Sequence, residues 1–143
     1  MSNYVLTTFR FLVDWGGINI GFSEVSGLDF ETDVVEYTHG ASLESVPMKS
    51  PGKPKYGNIT LKQGVFKSNS EAYDWLREIR TDDTARRNIT VTMLDQNQNP
   101  VIVWQVVNCW ISKLTTPNLN AGSSEAAIQT MEVVCETYSM NMP

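Results

Sequence analysis

The residue types that most often carry chemistry are few in this chain, and their spacing does not assemble a site. The one histidine, His39, stands beside a glycine, and the two cysteines, Cys109 and Cys135, lie far apart in the sequence. No two of these three residues have the separation of a zinc-binding pair. We therefore predict no metal site, and we interpret the cysteines as small buried hydrophobic residues.

Two other patterns that could serve catalysis have simpler explanations. The glycine-rich stretch 16–21 lacks the spacing of a dinucleotide-binding loop, and no helical pattern follows it, which favours a hairpin turn. Asp82 and Asp83 stand at the end of a predicted helix, where solvation accounts for them. The sequence contains no catalytic triad, phosphate loop or cofactor motif, so it predicts a protein that is not an enzyme and binds no cofactor.

The charge balance argues against nucleic acid as a specific partner. The 143 residues include 11 Lys and Arg against 16 Asp and Glu, a formal net charge of −5. Phosphate binding needs clustered cations, whereas the nearest cluster, Lys49, Lys53 and Lys55, lies among prolines and glycines that predict a solvated loop. Neither a signal peptide nor the ~20 apolar residues of a membrane helix is present. We expect synthesis in the cytoplasm and no membrane insertion of the monomer.

Alternating apolar and polar residues predict strands over most of the chain. Short turns between them predict antiparallel pairing, so the expected fold is one mainly β domain over residues 1–143, an antiparallel barrel or sandwich with one helix against it. The predicted strands cover residues 8–15, 18–22, 29–38, 56–65, 88–94, 101–110 and 125–138. The helix is predicted to begin near Ser68, where Ser68 and Glu71 match a capping box, and to end at Asp82.

Two segments do not fit a simple core. Neither face of the strand predicted at 29–38 is cleanly apolar, so it is expected to face something other than the interior. The stretch 39–55 is predicted to be an extended loop, because its prolines cannot donate to a sheet ladder and long loops are usually kept for contacts. Its prolines are Pro47, Pro51 and Pro54, and its apolar residues are Leu43, Val46 and Met48.

Four motifs in order resemble the phage tail tube protein family. Residues 21–28, GFSEVSGL, resemble its F-x-x-V-S-G-L stretch, and residues 36–40 are similar to its E-Y-x-x-G. Residues 51–65 resemble P-G-x-x-x-x-x-N-I-T-L-K-x-G-V, and the predicted helix with Trp75 follows at the family's place. The resemblance covers roughly residues 9–138. The family includes tubes of contractile phages and of extracellular contractile injection systems, and the haemolysin-coregulated protein of type VI secretion shares the fold.

The resemblance implies a structural protein that works only in an assembly. Typically six subunits form a ring whose inner sheets join into one barrel around a channel, and the rings stack into a tube inside a contractile sheath. The implied partners are further copies of the chain, the sheath protein, baseplate and cap proteins, and cargo in the channel. The particle would be a phage tail, an envelope-anchored machine or a released particle.

The same resemblance assigns surfaces to named residues. The extended loop would reach the adjacent ring, with contacts expected at Leu43, Val46, Met48, Pro51 and Lys53. Strands that line a channel alternate, which predicts a polar and partly acidic channel wall with candidates Thr60, Lys62, Thr130, Glu132 and Glu136. Some of these side chains could instead face the sheath.

Two alternatives accompany this interpretation. The first is a tube-initiating or baseplate paralogue of the same fold, which would begin or cap a tube rather than build it. The second is a small soluble β-barrel that binds a ligand.

Overall fold

The computed structural model describes residues 10–15, 18–38, 40, 48–65, 70–122 and 124–143. Over this part of the chain there are ten strands and one helix. The strands are β1 (Phe11–Trp15), β2 (Ile18–Ile20), β3 (Glu24–Ser26), β4 (Phe30–Tyr37), β5 (Met48–Tyr56), β6 (Ile59–Gly64), β7 (Arg87–Leu94), β8 (Pro100–Thr115), β9 (Ile128–Val134) and β10 (Thr137–Asn141). The helix, α1 (Glu71–Thr81), lies between β6 and β7. Within this part of the chain it is too short and too polar to cross a membrane.

One antiparallel sheet contains every strand except β4 and β5, in the order β2-β1-β7-β8-β9-β6-β3, with β10 also on β8. The 16-residue β8 pairs with β7 and β10 along its first part and with β9 along its last part. This long strand therefore joins two halves of the sheet that enclose a common core. The mainly β antiparallel fold with one helix is confirmed, but the described strands do not close into a barrel within one protomer, since β2 and β3 remain as edges.

The core follows the period-two pattern of the strands. Along β6, Ile59, Leu61 and Gln63 are buried while the residues between them are half-buried. On β1, Val13 and Trp15 are buried, as the sequence predicted. These side chains join the buried faces of β7, β8 and β9 in one cluster that also includes Trp75 of α1.

The residue that precedes the helix is Ser70, two positions later than the predicted Ser68. Its hydroxyl lies 3.0 Å from the Asp74 carboxylate. Glu71 is therefore the first helical residue and cannot take the third position that a capping box requires; Ser68 lies outside the described residues. The helix ends before Asp82, as expected.

Strand boundaries also differ from the prediction: β3 was not predicted, and β8 continues to Thr115 instead of ending at residue 110. The predicted loop 39–55 is wrong for its second half, because residues 48–56 form β5 and pair with β4. The strand predicted at 125–138 is two strands, interrupted at residues 135–136, where the Glu136 N–H donates to the Val107 carbonyl at 3.1 Å. There the chain moves from one part of β8 to the other.

Candidate assembly surfaces

The described residues include few of the side chains that commonly carry chemistry. Among them, no three His, Cys, Asp or Glu side chains are grouped so as to hold a metal ion; His39 lies outside that part of the chain. Both cysteines are free, and burial raises the pKa of Cys109 to about 12 and also raises the pKa of Cys135. Because the thiolate is the reactive form, burial makes both thiols less reactive than an exposed cysteine. Asp82 is a turn residue whose pKa is lowered by hydrogen bonds from the hydroxyl and the N–H of Thr84.

Strands β4 and β5 form a separate two-stranded sheet, hereafter the ribbon. Its pairing runs from Phe30 and Tyr56 at the base to Tyr37 and Met48 at the far end. Nearly all residues of both strands are exposed. An isolated two-stranded hairpin is at best marginally stable in water, so the ribbon needs a surface on which to pack.

The ribbon exposes large apolar side chains along its whole length. Their exposed fractions are 52% for Phe30, 63% for Val34, 53% for Val35, 61% for Tyr37 and 65% for Met48. Single exposed apolar residues are ordinary on a protein surface, but five along one short ribbon, divided by alternation between its two faces, are a concentration of the kind that marks an interaction site. The mixed pattern of residues 29–38 was the sequence signal for this surface, although it did not identify these side chains.

Prolines occur within β5 because this strand is an edge. Pro51 and Pro54 stand opposite Val34 and Thr32 of β4. Since proline has no N–H, it is tolerated where that group would point to the outer side of a sheet edge. An outer edge without donors at these positions also resists pairing with another strand. The sequence argument excluded a central strand correctly, and its conclusion of an irregular loop was wrong because it did not consider an edge strand.

Aromatic residues anchor the ribbon to the main sheet. The Tyr138 ring lies 5.1 Å from the Phe30 ring and 4.8 Å from the Tyr56 ring, measured between centroids. The Tyr138 hydroxyl donates a hydrogen bond to the Asp29 carbonyl, and burial raises the pKa of this hydroxyl. The base of the ribbon is thus fixed to β10, while the far end extends away.

Gly27, part of the first family-like motif, allows the chain to enter the ribbon. Its φ is +89°, and a Cβ atom at this position would lie 2.3 Å from the Asn58 carbonyl oxygen. Only glycine meets both conditions without strain. The local backbone therefore explains why this motif has a glycine at position 27.

The residues predicted to contact the next ring fall in two groups. Met48, Pro51 and Lys53 lie on β5, so the ribbon brings them together. Leu43 and Val46 lie outside the described residues.

Four of the five residues predicted to face the channel share one polar face. Thr60 pairs with Glu132, and Lys62 pairs with Thr130. Between them on both strands, the alternate side chains point into the core. These four positions are therefore on the outer side of β6 and β9, hereafter the polar face.

Charges of both signs neighbour each other on the polar face. Lys62 Nζ lies 3.3 Å from Glu24 Oε2, and Glu132 accepts a hydrogen bond of 2.8 Å from Asn58. Lys113 of β8 pairs with Glu132 from the other side. The face is polar, with its acidic groups balanced by lysines.

Glu136 does not belong to this face. Its carboxylate lies 2.9 Å from Arg86 Nη1 and accepts a hydrogen bond of 2.8 Å from Asn108. Asn108 has a φ of +54°, so this cluster holds the corner where β8 passes between the two halves of the sheet. Glu136 lies beyond the end of β9, so the alternation that groups the other four residues does not extend to it.

Comparison with known proteins agrees with this architecture. The model of the T4-like virus tail tube protein gp19 family matches residues 7–139, whereas no curated protein matches the chain. A chain of the sheath–tube complex of the PVC extracellular contractile injection system, in the extended state, has 30% identity and a TM-score of 0.90 over 99% of this chain and 94% of its own.

Two further structures extend the comparison. A chain of the tube-terminating cap of the anti-feeding prophage has 28% identity and a TM-score of 0.91, over 100% of this chain and 95% of its own. Hcp1 from Flavobacterium johnsoniae has 15% identity and a TM-score of 0.56, over 94% of this chain and 97% of its own. At that identity the likeness to Hcp1 concerns the fold alone.

Proposed function

Because the chain belongs to the family of T4-like tail tube proteins, we propose that it is the inner-tube subunit of a contractile injection system or phage tail. The family is structural, and the subunit has no catalytic role. Six copies form a ring around a central channel, rings stack into a tube, and contraction of a sheath drives the tube through a target envelope. The observation that carries this proposal is the ribbon, whose apolar side chains are left exposed by the described residues of the protomer.

The assemblies in which the related chains were solved support the partners that we propose for this protein. One is part of a sheath–tube complex, one of a cap, and another, with 23% identity, of a baseplate. Homologues are thus components of tail-like particles, and this chain is homologous to tail tube proteins of contractile injection systems. For this protein we propose the same partners, namely further copies of itself, a sheath protein, cap and baseplate proteins, and cargo in the channel.

We assign stacking of the rings to the ribbon and its connection. This includes Met48, Pro51 and Lys53 on β5 and, from the sequence, Leu43 and Val46. These apolar side chains are exposed in the folded protomer. Covering them when rings stack removes apolar surface from water, which favours the stacking.

Electron microscopy of the purified protein tests the proposal directly. We expect negative-stain images to show rings or tubes with a central hole, because the uncovered ribbon favours association. Light scattering at increasing concentration should show masses far above the 16.1 kDa protomer. A 16.1 kDa monomer at every concentration, without rings in the images, would contradict a tube subunit.

A tube-initiating or capping paralogue is the second candidate, favoured by the likeness to a chain in a tube-terminating cap. The two candidates differ in growth. A main tube subunit elongates for as long as protomers are supplied, whereas an initiating or capping paralogue stops after one ring or a fixed number of rings. The distribution of tube lengths against protein concentration separates them.

The polar face is our candidate for the channel wall, and cysteine labelling tests it. Thr130→Cys is expected to react with a small maleimide in tubes but to be protected from a maleimide attached to a globular protein too wide for the channel. The wild-type protein, labelled in the same way, gives the background from the native thiols, whose reactivity burial lowers. The same variant in unassembled form is the control and should react with both reagents. Equal labelling of tubes by the wide reagent would place the polar face toward the sheath instead.

A further inference from the structure

The two cysteines of the chain, far apart in the sequence, meet where β8 changes partners. Cys109 directly precedes Trp110, which pairs with Val134 of β9, and Cys135 directly follows Val134. In an antiparallel pair, the residue before one partner lies across from the residue after the other. Cys109 of β8 therefore lies across from Cys135.

The register continues beyond the cysteines, so this juxtaposition does not depend on a strand end. At the next position, Asn108 Nδ2 donates to Glu136 Oε2 at 2.8 Å. One position further, Val107 pairs with Thr137 of β10. The cysteine pair is thus bracketed by matched neighbours on both sides.

Both cysteine side chains project to the core side of the sheet. Ile111 and Val133 are cross-strand partners and are fully buried, and the cysteines follow them by one period of the strand alternation. Cys109 is fully buried, while Cys135 is half-buried and packs against the same core cluster. Burial, followed by the neighbouring Cys135, raises the pKa of Cys109, as expected for two thiols in one site.

The spacing of cross-strand partners matches that of a disulfide. Antiparallel partners have Cα atoms about 4.5 or 5.5 Å apart, and disulfides span about 4.4–6.8 Å. In this structure both thiols are free. Cys135 Sγ lies 3.7 Å from the Gly57 carbonyl oxygen, and the Ile89 backbone hydrogen-bonds Cys109. Rotation about the two Cα–Cβ bonds exchanges these weak contacts for a covalent bond.

We propose that Cys109 and Cys135 are a redox site that closes to an intrachain disulfide, with a small-molecule disulfide such as glutathione disulfide as the oxidant. Cys135, the more accessible thiol, attacks first as its thiolate, forms a mixed disulfide and releases one glutathione. Cys109 then loses its proton, attacks the Cys135 sulfur and releases the second glutathione. The two thiols lose two electrons, which glutathione disulfide gains, and their two protons end on the two glutathione thiols.

The bond would staple the corner at which β8 passes from one half of the sheet to the other. It closes the segment 109–135 into a loop, which restricts the unfolded chain and so stabilises the folded one. Cytosolic glutathione keeps thiols reduced, whereas an extracellular particle is in oxidising surroundings. Protomers therefore assemble in the dithiol form and are stapled after release. This timing rests on the proposed function, but the bond itself does not.

Oxidation of the folded protein by glutathione disulfide tests the proposal. Purified wild-type protein is incubated with an excess of the oxidant, quenched with acid, unfolded, and treated with an alkylating reagent before intact-mass measurement. We expect a monomer that has lost two hydrogen atoms, carries no glutathione and offers no thiol to the reagent. Its Tm, measured below assembly concentrations, should exceed that of the dithiol form by about 10 °C.

Single-cysteine variants test the order of the two steps. Cys109→Ala keeps the accessible thiol but lacks the thiol that resolves the intermediate, so it should retain one glutathione as a mixed disulfide. Cys135→Ala keeps only the buried thiol and should remain unmodified. Neither variant should gain thermal stability from the oxidant. The wild-type and Cys135→Ala measurements are sufficient where loss of the buried Cys109 thiol unfolds the protomer.

Folded wild-type protein that keeps both thiols, retains glutathione or forms covalent dimers under these conditions would overturn the proposal. A disulfide that appears only in urea would do the same, because the folded register would then not bring the thiols together. An unchanged Tm after closure would reject the staple at the corner. None of these measurements requires rings, so a failure of the tube function, seen by microscopy, is distinguished from a failure of the redox site.

Discussion

A protomer whose ribbon is cut back to its base is expected to fold and to form rings, but to build no tubes. The change replaces residues 32–54 with Asn-Gly. Glu31 and Lys55 are direct cross-strand partners, so a two-residue turn can close the shortened hairpin. Phe30 and Tyr56 are kept, and with them the ring contacts to Tyr138 that anchor the base.

The expected effect is large because each ring repeats the lost contact in every subunit. Full burial of a side chain such as Val or Met is worth about 1.5–3 kcal/mol. Loss of even about 2 kcal/mol per contact weakens that contact roughly 30-fold, and the losses multiply around a ring. We expect no tubes at any accessible concentration. Circular dichroism, sedimentation and negative-stain images measure the fold, the rings and the tubes separately.

Variants within the intact ribbon control for the size of this deletion. V35S/M48S removes apolar area from the far end of the ribbon and should reduce tube growth, whereas T32S/S50A alters the same two strands without that loss and should not. A shortened protomer that unfolds would show that the ribbon stabilises the core. Normal tubes from the shortened protomer would show that the ribbon is dispensable for stacking.

The sequence predicted those strands whose pattern is set within the protomer. On β1 and β6 one face is buried, so apolar residues recur at every second position and reveal the strand. The same alternation placed Thr60, Lys62, Thr130 and Glu132 correctly on one outer face. The sequence did not predict which of these four residues pair with each other. Alternation gives the two faces of each strand but not the register between two strands.

The elements that were missed have no fully buried face, are too short to show a pattern, or depend on contacts far along the chain. β5 buries none of its residues fully and contains prolines, so no apolar period marks it. β3 is three residues long, too short for a pattern to emerge. Glu136 was misplaced because the break between β9 and β10 depends on the corner at Asn108, almost thirty residues earlier in the sequence.

Trp75→Ala is expected to destabilise the protomer by about 3–5 kcal/mol, the cost of emptying a large buried aromatic site. Trp75 is fully buried and tilted against Trp15, with 4.5 Å between ring centroids. Its indole N–H donates to the Ala85 carbonyl at 3.3 Å, which fixes the turn after α1. The Arg87 guanidinium lies 5.2 Å from the Trp75 ring centroid and is held by Glu78 at 3.0 Å. One substitution thus removes several of the contacts that join α1 to the sheet.

Urea denaturation at concentrations below assembly measures this effect, because association would otherwise stabilise the folded state by mass action. Trp75→Phe retains most of the apolar volume but loses the indole hydrogen bond, so it should cost less than Trp75→Ala. Tyr73→Ala is the matched control on the same helix. Its side chain is half exposed, and a surface change of this kind usually alters stability by no more than about 0.5 kcal/mol. Equal stability of Trp75→Ala and Tyr73→Ala would mean that α1 does not hold the core. Against a total stability of about 5–15 kcal/mol for a domain of ordinary stability, the expected loss raises the unfolded fraction of Trp75→Ala protomers, so rings should form less readily than from the wild-type protein.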